Sequence, residues 1–137
     1  MPGNRLAETM DLRCGVDLIE VERIKKAVDK WGQRLLYRIF TRTEIEFARA
    51  RRNFYQHLAG RFAAKEAIIK SLGKGRISWR EMEIVNNAEG EPRVRFTSEG
   101  RINKTVAISI SHTKDYAIAQ AIAYEQTHLS SPQIRFA

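Results

Sequence analysis

The amino-acid sequence predicts one α+β domain in which N-terminal helices pack on a C-terminal antiparallel sheet. Three observations support this fold class: apolar residues recur at helical spacing in the first half, they alternate at period two in the second half, and turn residues separate the segments. A chain of 137 residues with 43% apolar residues can form one hydrophobic core. We therefore expect a lead-in at 1–12, one domain at 13–126 and a tail at 127–137.

The first half of the chain is predicted to begin with a short strand and to continue with helices. Cys14–Leu18 is typical of a strand interrupted by a glycine, and Glu20–Lys30 is typical of a basic amphipathic helix. Apolar residues within 35–40 indicate another helical turn. Thr43 and Glu46 fit a capping box, which predicts that the next helix begins there.

The strongest helical pattern runs from about Phe54 to Leu72 and stops at Gly73, which predicts a central helix. Beyond it, apolar and polar residues alternate, and this alternation predicts two antiparallel strand pairs. The paired segments are 82–84 with 94–96, and 106–110 with 116–122.

Composition limits the partners and the location of the protein. The net charge of +8, from 24 Lys and Arg against 16 Asp and Glu, favours nucleic acid, an acidic protein or a phosphorylated small molecule. Cys14 is the only cysteine, expected as a small buried side chain, so no intramolecular disulfide is possible. The N-terminus lacks a secretory signal, and no run approaches the roughly twenty apolar residues that cross a bilayer. We expect a cytoplasmic protein without a membrane partner.

Two acidic residues are candidate metal ligands. Asp17 lies in an otherwise apolar strand, where a lone buried carboxylate would be costly, and Glu66 lies at the margin of the apolar stripe of the long helix. Two carboxylates together with a phosphate suit Mg²⁺, whereas the single cysteine and scattered histidines do not suit zinc. Two alternatives remain open: Asp17 caps the following helix, or Glu66 pairs with Lys70 on an exposed helix face.

Basic residues on the long helix are candidate phosphate ligands. Lys65 falls within the apolar stripe, where it either snorkels to solvent or joins Arg61 and Lys70 in a half-buried site that binds phosphate oxygens. Ser111 and His112 stand where a strand meets a turn, so they either face a ligand or are simply solvated. The sequence has no glycine-rich phosphate loop, so side chains and helix ends would have to hold a nucleotide.

Three segments follow one another in a recognisable order: Gly15–Asp17, Arg61–Lys70 and Ile108–Thr113, with Gly90–Pro92 between the second and the third. Together they resemble the holo-acyl-carrier-protein synthases, a family of 4'-phosphopantetheinyl transferases. The resemblance extends over about 13–125. It implies the α+β fold of that family, assembled as a homotrimer that binds coenzyme A in clefts between neighbouring subunits.

The resemblance also implies a reaction, in which 4'-phosphopantetheine moves from coenzyme A to a serine of apo-acyl carrier protein in fatty acid biosynthesis. Asp17 and Glu66 would be the Mg²⁺ ligands, and Glu66 or a metal-bound water would help deprotonate the serine. The serine oxygen attacks the β-phosphate, and adenosine 3',5'-bisphosphate leaves. Magnesium would neutralise the pyrophosphate. Lys65, as a third catalytic residue, would contact the same pyrophosphate.

Further residues receive roles from the same resemblance. Besides Lys65, the implied coenzyme A ligands are Arg61, Lys70, Gly73, His112 and Thr113. Arg23 matches a position that docks the acidic carrier protein, and Lys26 and Lys30 would extend that face unless they are only a solvated basic surface. The segment 73–76 is more charged than the loop expected of the family, and Arg76 could add a phosphate contact.

Two other functions are weighed against the enzyme. A nucleic-acid-binding module would use the positive charge and the aromatic pair Phe54 and Tyr55 to stack on bases. A noncatalytic scaffold for acidic proteins would explain the basic helix. Neither function uses the carboxylates of Asp17 and Glu66, so we predict the transferase, with no nucleic acid as partner.

Overall fold

The computed structural model describes residues 11–98 and 101–125. Its elements, in chain order, are β1 (Arg13–Glu20), α1 (Val21–Trp31), α2 (Gln33–Ile39), α3 (Arg42–Arg49), α4 (Phe54–Leu72), a 3₁₀ turn (Trp79–Glu81), β2 (Met82–Asn86), β3 (Pro92–Phe96), β4 (Thr105–His112) and β5 (Tyr116–Tyr124). The predicted α+β class and both predicted strand pairs are confirmed. Most of the lead-in and all of the tail lie outside the described residues.

The first strand joins the last one. β1, β5 and β4 form an antiparallel sheet in that order, and β2 and β3 form a separate hairpin. Gly15 lies opposite Ala121, and Asp17 lies opposite Ala119. The pattern of β1 did not predict this pairing, because the four helices and three further strands separate the two segments along the chain. The pairing places β1 beside the central helix.

Helix α4 crosses the inner face of this sheet and is the centre of the core. It has 19 residues and is buried on most sides. The charged side chains that it carries interrupt its apolar surface, and no helix in the described part of the chain is long and apolar enough to span a bilayer. The predicted central helix is therefore confirmed, with the predicted ends.

Small side chains line the contact between α4 and the sheet. Strand β5 presents four fully buried alanines to the helix, at 117, 119, 121 and 123. Its larger apolar residues point the other way, together with those of β1. The exposed apolar residues of this outer sheet face are Val16, Leu18, Tyr116, Ile118 and Ile122. Cys14 also lies on the exposed side, so its predicted burial is wrong, because it alternates with the inward-facing Gly15.

Gly15 is the point of closest approach between β1 and α4. A Cβ atom at this position would lie 2.1 Å from the carbonyl oxygen of Ala67. Only a residue without a side chain lets the strand approach the helix backbone this closely. Asp17, two residues later on the same face of β1, is thereby held next to α4.

We expect Gly15→Ala to destabilise the protein by about 1–3 kcal/mol, because the added methyl group collides with backbone rather than with a side chain that can move. Urea unfolding measures the change. Gly60→Ala is the matched control, since its methyl group meets only the side-chain Cγ2 of Ile110 at 3.1 Å and alanine favours the helix. Equal stability of Gly15→Ala and the wild type would contradict the close-approach argument.

The capping box of α3 is two residues earlier than predicted. Thr41 Oγ1 accepts a hydrogen bond from Glu44 N at 3.3 Å, and Glu44 Oε1 accepts one from Thr41 N at 2.8 Å. Thr43 and Glu46 fit the same pattern, but Glu46 is exposed and pairs with Arg42. Burial separates the two possibilities: Glu44 is needed inside the core, as described below.

Candidate active site

Asp17 and Glu66 come together at the C-terminal half of α4. Lys70 Nζ donates to Asp17 Oδ1 at 3.3 Å and to the carbonyl oxygen of Val16 at 2.8 Å. Glu66 lies one turn before Lys70, on the same side of the helix. Burial and the negative charge of Asp17 raise the pKa of Glu66, while Lys70 and Lys74 oppose this shift. Two carboxylates and two ammonium groups therefore share one half-exposed site.

The structure supports neither simpler account of these two acids. The N-cap residue of α1 is Glu20, which makes no side-chain cap bond, and Asp17 instead pairs with Lys70. Glu66 has no ion pair within the described residues, since the ammonium group of Lys70 is directed to β1. The Glu66 carboxylate thus carries a charge that no neighbouring cation neutralises by direct contact.

The donor set at this site suits magnesium. It consists of carboxylate oxygens, and in residues 11–98 and 101–125 no cluster of three or more His, Cys, Asp or Glu residues could hold a metal by protein ligands alone. Mg²⁺ typically takes one or two carboxylates and completes its octahedron with water and substrate phosphate oxygens. A bound cation would also relieve the repulsion between Asp17 and Glu66 that raises the pKa of Glu66.

Arg61 and His112 belong to a second cluster, around a cavity of about 180 Å³. The Arg61 side chain is buried, its Nη2 donates to Asn86 Oδ1 at 2.9 Å, and its Nε has no hydrogen-bond partner in the described structure. Burial lowers the pKa of Arg61 to about 10, so the guanidinium stays charged at neutral pH. A buried cation with an unused donor beside a cavity is suited to an anionic ligand.

The two clusters lie on different sides of α4. Arg61 and Glu66 are five residues apart, which corresponds to a rotation of about 140° around the helix and a rise of about 7.5 Å. Asp17, Glu66 and Lys70 do not line the cavity that contains Arg61 and His112. One chain therefore divides the predicted coenzyme A residues between two surfaces.

Lys65 is placed differently from the prediction. Its side chain is fully buried, and Nζ donates to Glu44 Oε1 at 2.6 Å, to the carbonyl oxygen of Ile39 at 2.8 Å and to that of Trp79 at 3.0 Å. The other oxygen of Glu44 accepts from Ile84 N at 2.7 Å. Lys65 thus neither snorkels nor has a hydrogen left for a phosphate. We revise its expected catalytic and coenzyme A-binding roles to a structural one, which holds α4 against α3 and β2.

Gly73 and Thr113 shape loops at the ends of their elements. Gly73 ends α4 with a φ of 104°, a conformation that favours glycine, and its N–H donates to Ile69 O. Thr113 Oγ1 accepts hydrogen bonds from the backbone N–H groups of Asp115 and Tyr116, so it fixes the turn that follows His112. The contacts of both residues with a ligand stay predictions.

The basic face of α1 is exposed as expected. Arg23, Lys26 and Lys30 are all accessible, and Lys30 Nζ lies 5.0 Å from the ring centroid of Trp31, which is itself exposed. A basic surface with an apolar side chain at its end can contact an acidic protein.

Sequence reasoning missed several residues of the second cluster. Phe47, His57 and Asn86 line its cavity, and the guanidinium of Arg61 lies 3.8 Å from the Phe47 ring centroid. The spacing of His57, four residues before Arg61 on the same helix face, was the one available signal. Asn86 comes from a distant hairpin, and no local pattern indicates it.

The aromatic pair that suggested nucleic-acid binding does not form an open stacking platform. Phe54 and Tyr55 are partly buried and pack against the core, with their rings edge to face at 5.1 Å. Stacking on successive bases needs exposed ring faces. The structure therefore offers no support for that alternative at this position.

Comparison with known proteins gives a consistent set of relatives. The family model described as the 4'-phosphopantetheinyl transferase superfamily matches residues 13–121. A holo-[acyl-carrier-protein] synthase of Thermodesulfovibrio yellowstonii is 44% identical over 106 residues, covering 77% of this chain and 91% of that protein. The Protochlamydia amoebophila protein of the same name is 44% identical over 119 residues, covering 82% of this chain and 98% of its own.

Solved structures show the same similarity. The Bacillus anthracis holo-(acyl-carrier-protein) synthase in complex with CoA (3',5'-ADP) has a TM-score of 0.74 and 34% identity, over 85% of this chain and 99% of that one. The Neisseria meningitidis holo-[acyl-carrier-protein] synthase has a TM-score of 0.75 and 30% identity, over 82% of this chain and 98% of that one.

Proposed function

The chain belongs to the 4'-phosphopantetheinyl transferase superfamily, and we propose that it transfers 4'-phosphopantetheine from coenzyme A to a serine of apo-acyl carrier protein. The products are the holo carrier protein and adenosine 3',5'-bisphosphate, and the reaction serves fatty acid biosynthesis in the cytoplasm. The observation that carries the proposal is the placement of Asp17 and Glu66 close together beside Lys70, in a chain whose relatives are named as these synthases. It gives a function to the Glu66 carboxylate, which no cation contacts directly within the described residues.

The chemistry proposed for this site uses the two acids for different tasks. Asp17 and Glu66 would hold Mg²⁺, which when bound neutralises the pyrophosphate and stabilises the charge that develops at phosphorus. Glu66 is also proposed to accept the proton of the serine hydroxyl as a general base. The serine oxygen forms a bond to the β-phosphorus as the bond to the bridging oxygen breaks. Lys70 supplies positive charge to the phosphates.

The acceptor protein is proposed to dock on α1. Arg23, Lys26 and Lys30 form its basic face, and charges of this kind steer an acidic partner and fix its orientation. The face begins just after β1, so a docked carrier protein would lie near Asp17.

We further propose that the active enzyme is a homotrimer with sites between subunits. Two observations support this. The predicted coenzyme A residues of one chain lie on two sides of α4. A single coenzyme A could therefore contact both clusters only if the Arg61 cluster of one subunit lies beside the Asp17 and Glu66 site of its neighbour. The outer sheet face also exposes large apolar side chains, among them Leu18 and Ile118, which are cross-strand partners.

Leu18→Lys is expected to convert the trimer to monomers and to lower the transfer rate at least about tenfold, because a charge on the outer sheet face opposes its burial. Sedimentation velocity and the transfer assay measure the two effects. Tyr37→Lys, which changes an exposed aromatic on α2, is the control and should leave both unchanged. A trimeric, fully active Leu18→Lys protein would refute this interface.

The decisive test of the activity is the intact mass of an apo carrier protein incubated with this protein and coenzyme A, with and without magnesium. The expected result is a gain of one phosphopantetheine that disappears with chelator. No gain with several apo carrier proteins would refute the proposed function.

A further inference from the structure

His57 lies inside the second cluster, where residues of α3 and β4 pack against its ring. Its ring packs edge to face against Phe47 and against His112, each at 5.6 Å between centroids. It lines the 180 Å³ cavity beside Arg61, four residues later on α4. A larger adjoining cavity of about 660 Å³ shares Phe47, His57, Arg61 and Asn86 with the first and adds Arg51.

The charged groups that face His57 are all cationic or become cationic on protonation. They come from α4 (Arg61), from β4 (His112) and from the segment after α3 (Arg51). Within the described residues, no aspartate or glutamate lines either cavity. Burial and then these neighbours lower the pKa of His57, and only a hydrogen bond that the imidazole donates to the backbone of Arg52 opposes them. The free protein therefore keeps His57 uncharged at neutral pH, in a cavity that already contains a buried guanidinium.

We propose that His57 is a further phosphate-binding residue and that it takes up a proton when a nucleotide phosphate enters this cavity. A phosphate dianion there would face the charged guanidinium of Arg61 and would offset the positive charges of Arg61 and Arg51 beside the imidazole. The ligand class is a nucleoside phosphomonoester, such as the bisphosphate half of coenzyme A. This inference rests on the proposed function for the identity of its ligand.

Proton uptake predicts how affinity depends on pH. Where the free protein has neutral His57 and the complex has protonated His57, affinity falls as pH rises, by up to about tenfold per pH unit. This dependence is limited to the pH range between the His57 pKa of the free protein and the His57 pKa of the complex. Well below that range His57 is protonated in both states, and well above it His57 is neutral in both, so the contribution of His57 to the pH dependence disappears. The phosphate itself also titrates, so the comparison must be between variants.

The test is titration calorimetry of the full-length protein with adenosine 3',5'-bisphosphate at neutral pH, in buffers of different ionisation enthalpy. The dependence of the observed heat on the buffer gives the number of protons taken up. We expect clear uptake for the wild type and little for His57→Gln. Because His57 packs on Phe47, His57→Phe is a second variant that keeps an aromatic ring and removes the titrating nitrogen. His112→Gln should bind more weakly but still show uptake.

Each outcome decides between the two claims. Unchanged uptake in both His57 variants, or uptake lost only in His112→Gln, overturns the assignment to His57 while transfer activity stands. Bisphosphate binding with His57-dependent uptake, but no phosphopantetheine transfer to any carrier, leaves the assignment and refutes the proposed function. The absence of measurable bisphosphate binding counts against both.

Discussion

Glu66→Gln is expected to lower the turnover of phosphopantetheine transfer about a thousandfold or more, with little change in volume at the site. The substitution removes a proposed metal ligand and the group proposed to accept the serine proton, and positioned general bases contribute about 10²–10⁴-fold. It also removes the repulsion with Asp17 and the burial of a charge, both of which raise the pKa of Glu66. The variant should therefore be at least as stable as the wild type while being almost inactive.

Turnover and urea unfolding, measured on the same preparations, separate these effects. Glu46→Gln is the matched control, because Glu46 is exposed on α3 and pairs only with Arg42 at 3.5 Å. It should retain the wild-type rate. Near-wild-type turnover of Glu66→Gln over a range of magnesium concentrations would remove Glu66 from the mechanism.

Lys65→Met is expected to destabilise the fold by about 3–5 kcal/mol, the usual cost of leaving one partner of a buried ion pair alone. Both side chains of the pair are fully buried, and Glu44 would keep a charge with only backbone donors around it. Removing the charge of both partners, in Glu44→Gln combined with Lys65→Met, should recover part of the loss. Urea unfolding of the two single variants and the double variant gives the coupling energy.

The same variants decide the role of Lys65. If Lys65 has a structural role, Lys65→Met should retain nearly wild-type transfer activity per folded molecule. The comparison is made under conditions where the folded fraction of each protein is known. If Lys65→Met lowers the free energy of unfolding by less than about 1 kcal/mol and largely abolishes activity per folded molecule, the structural role is wrong. Lys65 would then be assigned to the pyrophosphate contact that was first expected.

The fold was largely predictable because the spacing of apolar residues along the sequence follows which face of each helix or strand is buried. The alternation in 106–110 and 116–122 predicted a strand pair, and the helical stripe predicted α4 with its end at Gly73. Two features needed the tertiary structure. The pairing of β1 with β5 joins segments far apart in the chain, and it depends on Gly15 meeting the backbone of Ala67. The capping box was ambiguous because two overlapping Thr-x-x-Glu patterns occur, and only burial selects one.

The sequence predicted the grouping of charged residues where they recur on one helix face. It did not predict the surroundings of residues whose partners lie far away in the chain. Glu66 and Lys70 are one turn apart, and Asp17 is the only acid within 14–18, so the sequence could name these three as candidates. Lys65 could not, because a buried lysine is read correctly only when its partner Glu44 is known. His57 was overlooked for a similar reason: its environment comes from three separate elements of the fold.

In the proposed trimer, the division of β5 into an inner row of alanines and an outer row of larger apolar residues would link folding to the amount of protein present. Methyl groups contribute little apolar area each, so the inner contact with α4 gives a single chain limited stability. The larger side chains would contribute only where the proposed neighbouring subunit covers them. By mass action, the midpoint of unfolding should then fall on dilution. The proposed trimer would therefore be stably folded at high protein concentration. A single chain at low concentration would be only weakly folded.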